Sequence, residues 1–176
     1  MTRPLHLSVA LTLLLALGAC GETAEPETTA EADPPASEPA NDAEAKALTI
    51  YKSPTCGCCG DWVTHMEEAG FQASTEHPQQ MRAIKMQLGI EPEYSSCHTG
   101  VSDEGYVFEG HIPAKVVQRF LENPPENALG LAVPRMPVGS PGMEMGERFE
   151  PYDVLLLKED GSSEVYAHID TAEEQY

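Results

Sequence analysis

Three cysteines fall within four residues, Cys56-Gly57-Cys58-Cys59, the densest reactive cluster in this 176-residue chain. Thiols this close share one small volume, and Gly57 lets the backbone bend tightly enough for several sulfurs to converge. The residues after the cluster have helical spacing. The unpaired N–H groups and positive dipole end of a helix start favour thiolate there. A fourth thiol, Cys97, stands beside His98 and must be brought in by the fold. Thiolate and thioether donors select copper(I) over hard cations, and four thiolates can bridge more than one such ion.

Other chemistries use the same residues. Structural zinc wants two well-separated ligand pairs, whereas these ligands are crowded. A pair of structural disulfides suits an oxidising compartment, although Cys58 and Cys59 are poor partners for each other. The main rival is a thiol-disulfide enzyme. Cys56 and Cys59 have the spacing of a redox pair, and Cys58 and Cys97 could serve as resolving thiols.

Methionine supplies a second soft donor. Met136, Met143 and Met145 crowd a segment too rich in glycine and proline to be regular, while Met66, Met81 and Met86 have helical spacing and read as packing residues. His98 and His111 could each bind an ion or fix a ligand that does. His65, His77 and His168 read as surface or structural residues. Trp62, one turn after the cluster, should pack beneath it.

The elements that must position these groups follow from pattern. Leu48–Tyr51 reads as a strand, Cys56–Gly60 as a turn, Asp61–Ala69 as a helix closed by Gly70, and Phe71–Thr75 as a second strand. Pro78 can open a helix ending at Gly89. Residues 99–101 and 106–108 read as a hairpin, and Pro113 opens a third helix. Residues 130–145 read as an irregular loop. Tyr152–Leu157 and Ser163–Ala167 read as a terminal hairpin. A cysteine pair between a first strand and a first helix resembles a thioredoxin-like α/β sandwich, here with a mid-domain insertion. In such a fold the late proline-rich loop faces the cysteine turn, which brings its methionines near the thiols.

The N-terminus reads as an export signal. Arg3 precedes an apolar run, Leu7–Leu17, too short to span a bilayer comfortably. Leu17-Gly18-Ala19-Cys20 resembles a lipobox, so residues 1–19 are expected to be a lipoprotein signal peptide and Cys20 the lipidated residue. Gly21 in place of aspartate favours the outer membrane. Residues 20–47 add eight acids, one lysine and four prolines with no large apolar side chain. Such a segment cannot offset ordering entropy, and reads as a disordered acidic linker before a domain at 48–176. The formal charge of -19 argues against nucleic-acid binding, because phosphates would be repelled. Expected partners are copper ions, the membrane through its lipid, and periplasmic copper-handling or redox proteins.

Taken together, Tyr51–Cys59, Trp62, His65, Ser96-Cys97-His98-Thr99, Gly105–Val107, Glu109–Pro113, Gly130–Pro137 and Ser140–Glu144 resemble the CopG-type copper-resistance family of the bacterial periplasm. The resemblance runs from about Leu48 to Ala167. It implies a thioredoxin-like fold and a copper(I) cluster on Cys56, Cys58, Cys59 and Cys97, with secondary roles for His111, Met136 and Met143. It is compatible with copper sequestration and with copper redox interconversion.

Overall fold

The computed structural model describes residues 46–176. The expected signal peptide, the expected lipidation site Cys20 and nearly all of the expected acidic linker lie outside the described residues. Lys46 and Ala47, assigned to the linker from sequence, belong to the fold: Lys46 accepts a backbone hydrogen bond from Gln72 and Ala47 opens the first strand.

Seven strands form one mixed sheet in the order β2-β1-β3-β4-β5-β6-β7. Strand β1 (Ala47–Tyr51) pairs parallel with β2 (Gln72–Glu76) and antiparallel with β3 (Thr99–Ser102). Strand β4 (Val107–Glu109) runs antiparallel to β3 and parallel to β5 (Ala128–Ala132). The long hairpin of β6 (Tyr152–Lys158) and β7 (Ser163–Ile169) completes the sheet. Helix α1 (Gly57–Glu68) links β1 to β2, α2 (Met81–Gln87) lies between β2 and β3, and α3 (Ala114–Glu122) links β4 to β5.

Side-chain alternation along the strands separates two apolar clusters. Leu48, Ile50, Phe108, Leu131, Val154 and Leu156 pack with Trp62 and Met66 of α1 and Val117 and Phe120 of α3. Val107, Ala132 and Leu157 alternate with that set and pack with Ile90, just past α2.

Three sequence expectations shift. Helix α1 begins at Gly57 rather than Asp61, so Cys58 and Cys59 occupy its first turn and Cys56 is its N-cap. The first turn tolerates such residues because its N–H groups need no intrahelical partner. Residues 128–132, read partly as loop, form β5 between β4 and β6. The mid-chain residues treated as an insertion thus lie in the same sheet as strands β3 to β5. Finally, Met86 on α2 is 61% exposed, and the buried residue of that helix is Lys85.

Candidate metal centre

The end of β1 and the start of α1 form one wall of the site. Cys56 and Cys59 are joined as a disulfide, and Cys58 Sγ lies 3.5 Å from Cys56 Sγ. The opposite wall is the segment entering β3, which carries Cys97. The sulfurs of Cys56, Cys58, Cys59 and Cys97 all lie within 4.8 Å of one another. Two stretches of chain separated by nearly forty residues are therefore brought to one point. Cys58 and Cys97 are free thiols in this state.

A second set of donors overlaps the first. The Sγ of Cys97 lies 3.3 Å from His98 Nδ1 and 3.1 Å from His111 Nε2. His111 Nδ1–H donates to the Pro141 carbonyl at 2.8 Å, which leaves Nε2 as a free lone pair aimed at the sulfur. His98 is fully buried, and its Nε2 has no hydrogen-bond partner. Buried polar atoms of this kind are rare in folded proteins. The sequence offers His98 as a possible ligand or ligand-fixing residue beside Cys97; its burial against His111, ring centroids 4.9 Å apart, comes from the fold.

Trp62 forms the floor, as its spacing from the cluster predicts. Its ring is fully buried, lies 4.4 Å from the His98 ring, and donates Nε1–H to the Ile112 carbonyl at 2.8 Å. The proline-rich loop closes the site from above. At Gly142 (φ +82°) a Cβ would come within 2.6 Å of the Cys58 carbonyl oxygen and 2.7 Å of Trp62 N. Only glycine lets that loop sit so close to the cysteine turn. Met143 follows directly and is half-buried; Met136 and Met145 are 47% and 54% exposed. The loop is thus seated on the site, with two of its three thioethers largely open to solvent.

Electrostatics set the resting state of the donors. Burial pushes the Cys97 thiol up to about 11, reinforced by Cys58 and opposed by hydrogen bonding to Ser96 and by the Lys85 charge. Cys97 is therefore a protonated thiol at neutral pH, and a metal binding there must displace its proton. Burial lowers His111 below the ordinary 6.5 and lowers His98 well below it, so both rings are neutral and available as donors.

Among the described residues, the remaining histidines make structural or surface contacts. His65 Nε2 accepts the backbone N–H of Ala114 at 2.9 Å, capping the first residue of α3. His77 hydrogen-bonds the Lys52 carbonyl at 3.0 Å, and His168 lies against Asp153 at 2.6 Å on the surface. The His65 cap works only while Nε2 is unprotonated. Burial holds its pKa below 6.5, against the opposing pull of Glu144 and Glu68. The unfolded chain then takes up a proton before the folded one, so this stabilisation is complete above about pH 6.5 and is lost as the pH falls. The urea midpoint of the metal-free protein should therefore drop between about pH 7 and pH 5. A His65→Asn variant should show a shallower drop; an equal drop in both would remove this role.

A family described as a protein of unknown function, DUF411, matches residues 94–143, the stretch that carries Cys97, His98, His111, Met136 and Met143. No curated protein sequence matches the chain. Among solved structures, two forms of a copper resistance protein, CopG, are similar. Form 2 is 41% identical over 72% of this chain and 99% of that one, with a TM-score of 0.68. Form 1 is 42% identical over 72% and 98%, with a TM-score of 0.67.

Proposed function

Since the chain belongs to the CopG family of copper resistance proteins, we propose that it binds copper(I) as cargo through Cys56, Cys58, Cys59 and Cys97. The observation that carries this reading is the meeting of four sulfurs within 4.8 Å, three at a helix start and one from the separate segment that enters β3. The donor set fits the ion: thiolates and neutral imidazoles are soft to intermediate ligands that favour copper(I) over calcium or magnesium. His111 and His98 stand ready beside Cys97, and Met143 would add a thioether from the loop above.

In this reading the Cys56–Cys59 disulfide is the form closed to copper. Its reduction supplies two thiolates and opens the full set. Copper held there is kept from adventitious thiols, and the buried, mixed sulfur and nitrogen surroundings also suit passage of an electron between copper states. The test is uptake by reduced protein under anaerobic conditions, followed by gel filtration. At least one copper per chain should stay bound after reduction, and uptake should fall sharply when Cys56 and Cys59 are first oxidised. Copper well below one equivalent in the reduced protein would overturn the proposal.

The same disulfide supports a second reading, a thiol-disulfide oxidoreductase acting through Cys56 and Cys59. Here Cys58, 3.5 Å from Cys56, would act as an additional resolving thiol.

The setting we propose is the cell envelope. Leu17-Gly18-Ala19-Cys20 supports cleavage and lipidation at Cys20, and residues 20–45 would hold a thioredoxin-like domain away from the membrane. No helix among the described residues is long and apolar enough to cross a membrane. Cys20→Ser should move the protein from the membrane to the soluble fraction; full-length protein that is soluble with Cys20 intact would remove the anchor from this account.

A further inference from the structure

We infer that Lys85 and Glu109 are positioning residues that hold the Cys97 loop against the cysteine turn, although neither offers a ligand to the site. The inference rests on the copper-binding reading above and deepens it.

Glu109 ends β4 on the side of the sheet opposite Phe108, and it is fully buried. Its carboxylate makes an ion pair with Lys85 of α2, itself only 6% exposed. It also accepts the backbone N–H of Ser96 and the hydroxyl of Thr99, each at 2.5 Å. Lys85 Nζ donates in turn to Thr99 Oγ1 at 3.1 Å. The anchor points are thus the residue before Cys97 and the residue after His98. One carboxylate clamps both ends of the Cys97-His98 dipeptide, and it lies two residues before His111, which follows the end of β4. The Gly110 N–H bond to the His98 carbonyl, 3.1 Å, and the Ser96 hydroxyl bond to the Arg135 carbonyl tie the same loop to its neighbours.

Stability alone does not call for this arrangement. Desolvating two charges is costly, and apolar replacement of both members of a buried pair is often neutral or stabilising. What an apolar pair could not do is accept the Ser96 amide and so fix where Cys97 begins. Outer groups that orient metal ligands commonly govern affinity without touching the ion.

Two double variants separate positioning from bulk stability. Lys85→Met with Glu109→Leu removes the charges and the acceptor. Lys85→Met with Glu109→Gln removes the charges but keeps an acceptor for Ser96 N–H. The leucine pair should unfold at a urea concentration equal to or above that of the parent, yet hold copper(I) roughly 10–100-fold more weakly. The glutamine pair should recover most of that affinity. A metal-free readout runs alongside: in a Cys56→Ser, Cys59→Ser background, mild oxidation should join Cys58 to Cys97 more slowly with leucine at 109 and at near-parent rate with glutamine. Parent-like copper affinity and bridging in the leucine pair would overturn the inference, as would a glutamine pair as impaired as the leucine pair. If the leucine pair does not fold, Glu109→Asp decides: it keeps the charge but shortens the reach to Ser96, and must slow bridging for the inference to stand. A parent that binds no copper overturns the proposed function instead, and the bridging rates still decide the role of Lys85 and Glu109.

Discussion

Cys58→Ser is expected to abolish tight copper binding while leaving the Cys56–Cys59 disulfide and its exchange with small thiols intact. Cys58 has no place in the disulfide, and its sulfur lies 3.5 Å from Cys56 and within 4.8 Å of Cys59 and Cys97. In a metal site it is a bridging or terminal donor; in a two-thiol redox centre it is dispensable. Loss of a direct sulfur ligand should exceed the 10–100-fold typical of an outer partner, so copper(I) affinity should fall by more than about 100-fold. Competition with a copper(I)-specific chelator reads the affinity, and mass spectrometry after alkylation reads the disulfide. Unchanged copper affinity with intact thiol-disulfide exchange would favour the oxidoreductase reading over ours.

Trp62→Ala should cost about 3–5 kcal/mol of stability, the range for truncating a buried aromatic side chain. Domains of this kind are stable by only about 5–15 kcal/mol, so the variant should sit near its unfolding threshold in the metal-free state. The ring is fully buried between α1 and the sheet, lies tilted against His98, and donates to the Ile112 carbonyl. Trp62→Phe restores most of the volume but leaves that carbonyl without its donor, and should cost about 1–3 kcal/mol. Since Trp62 is the chain's one tryptophan, unfolding in urea must be followed by circular dichroism. A loss below about 1 kcal/mol for Trp62→Ala would mean the site's floor is not part of the core.

The pattern that places β1, β2, β3, β4 and the terminal hairpin is local, and those elements stand where periodicity and turn residues put them. The cysteine cluster is likewise a local signal, and its meeting with Cys97 follows from a strand order that pairs β1 with β3. Strand β5 was harder to see because Gly130 reads as a loop residue. The glycine is needed for close approach instead: a Cβ there would come within 1.9 Å of the Val107 carbonyl oxygen. The start of α1 was misplaced because two glycines and three cysteines are poor helix formers, and the first turn forgives them. The Lys85–Glu109 clamp was invisible for a different reason. A lysine on a short helix and a glutamate at a strand end look like surface charges until the fold buries both. Pairings of that kind depend on which face of the sheet each element covers, and no periodicity encodes it. The role of the methionine loop is split in the same way: its seating on Cys58 is fixed by Gly142, whereas Met136 and Met145 are left mainly to solvent.

The most direct measurement is X-ray absorption at the copper edge on reduced protein loaded anaerobically with copper(I). Sulfur atoms dominating the neighbours of copper, and diminished by Cys97→Ser, are the predicted result. Copper surrounded by nitrogen and oxygen alone, or a spectrum indifferent to Cys97, would contradict the account.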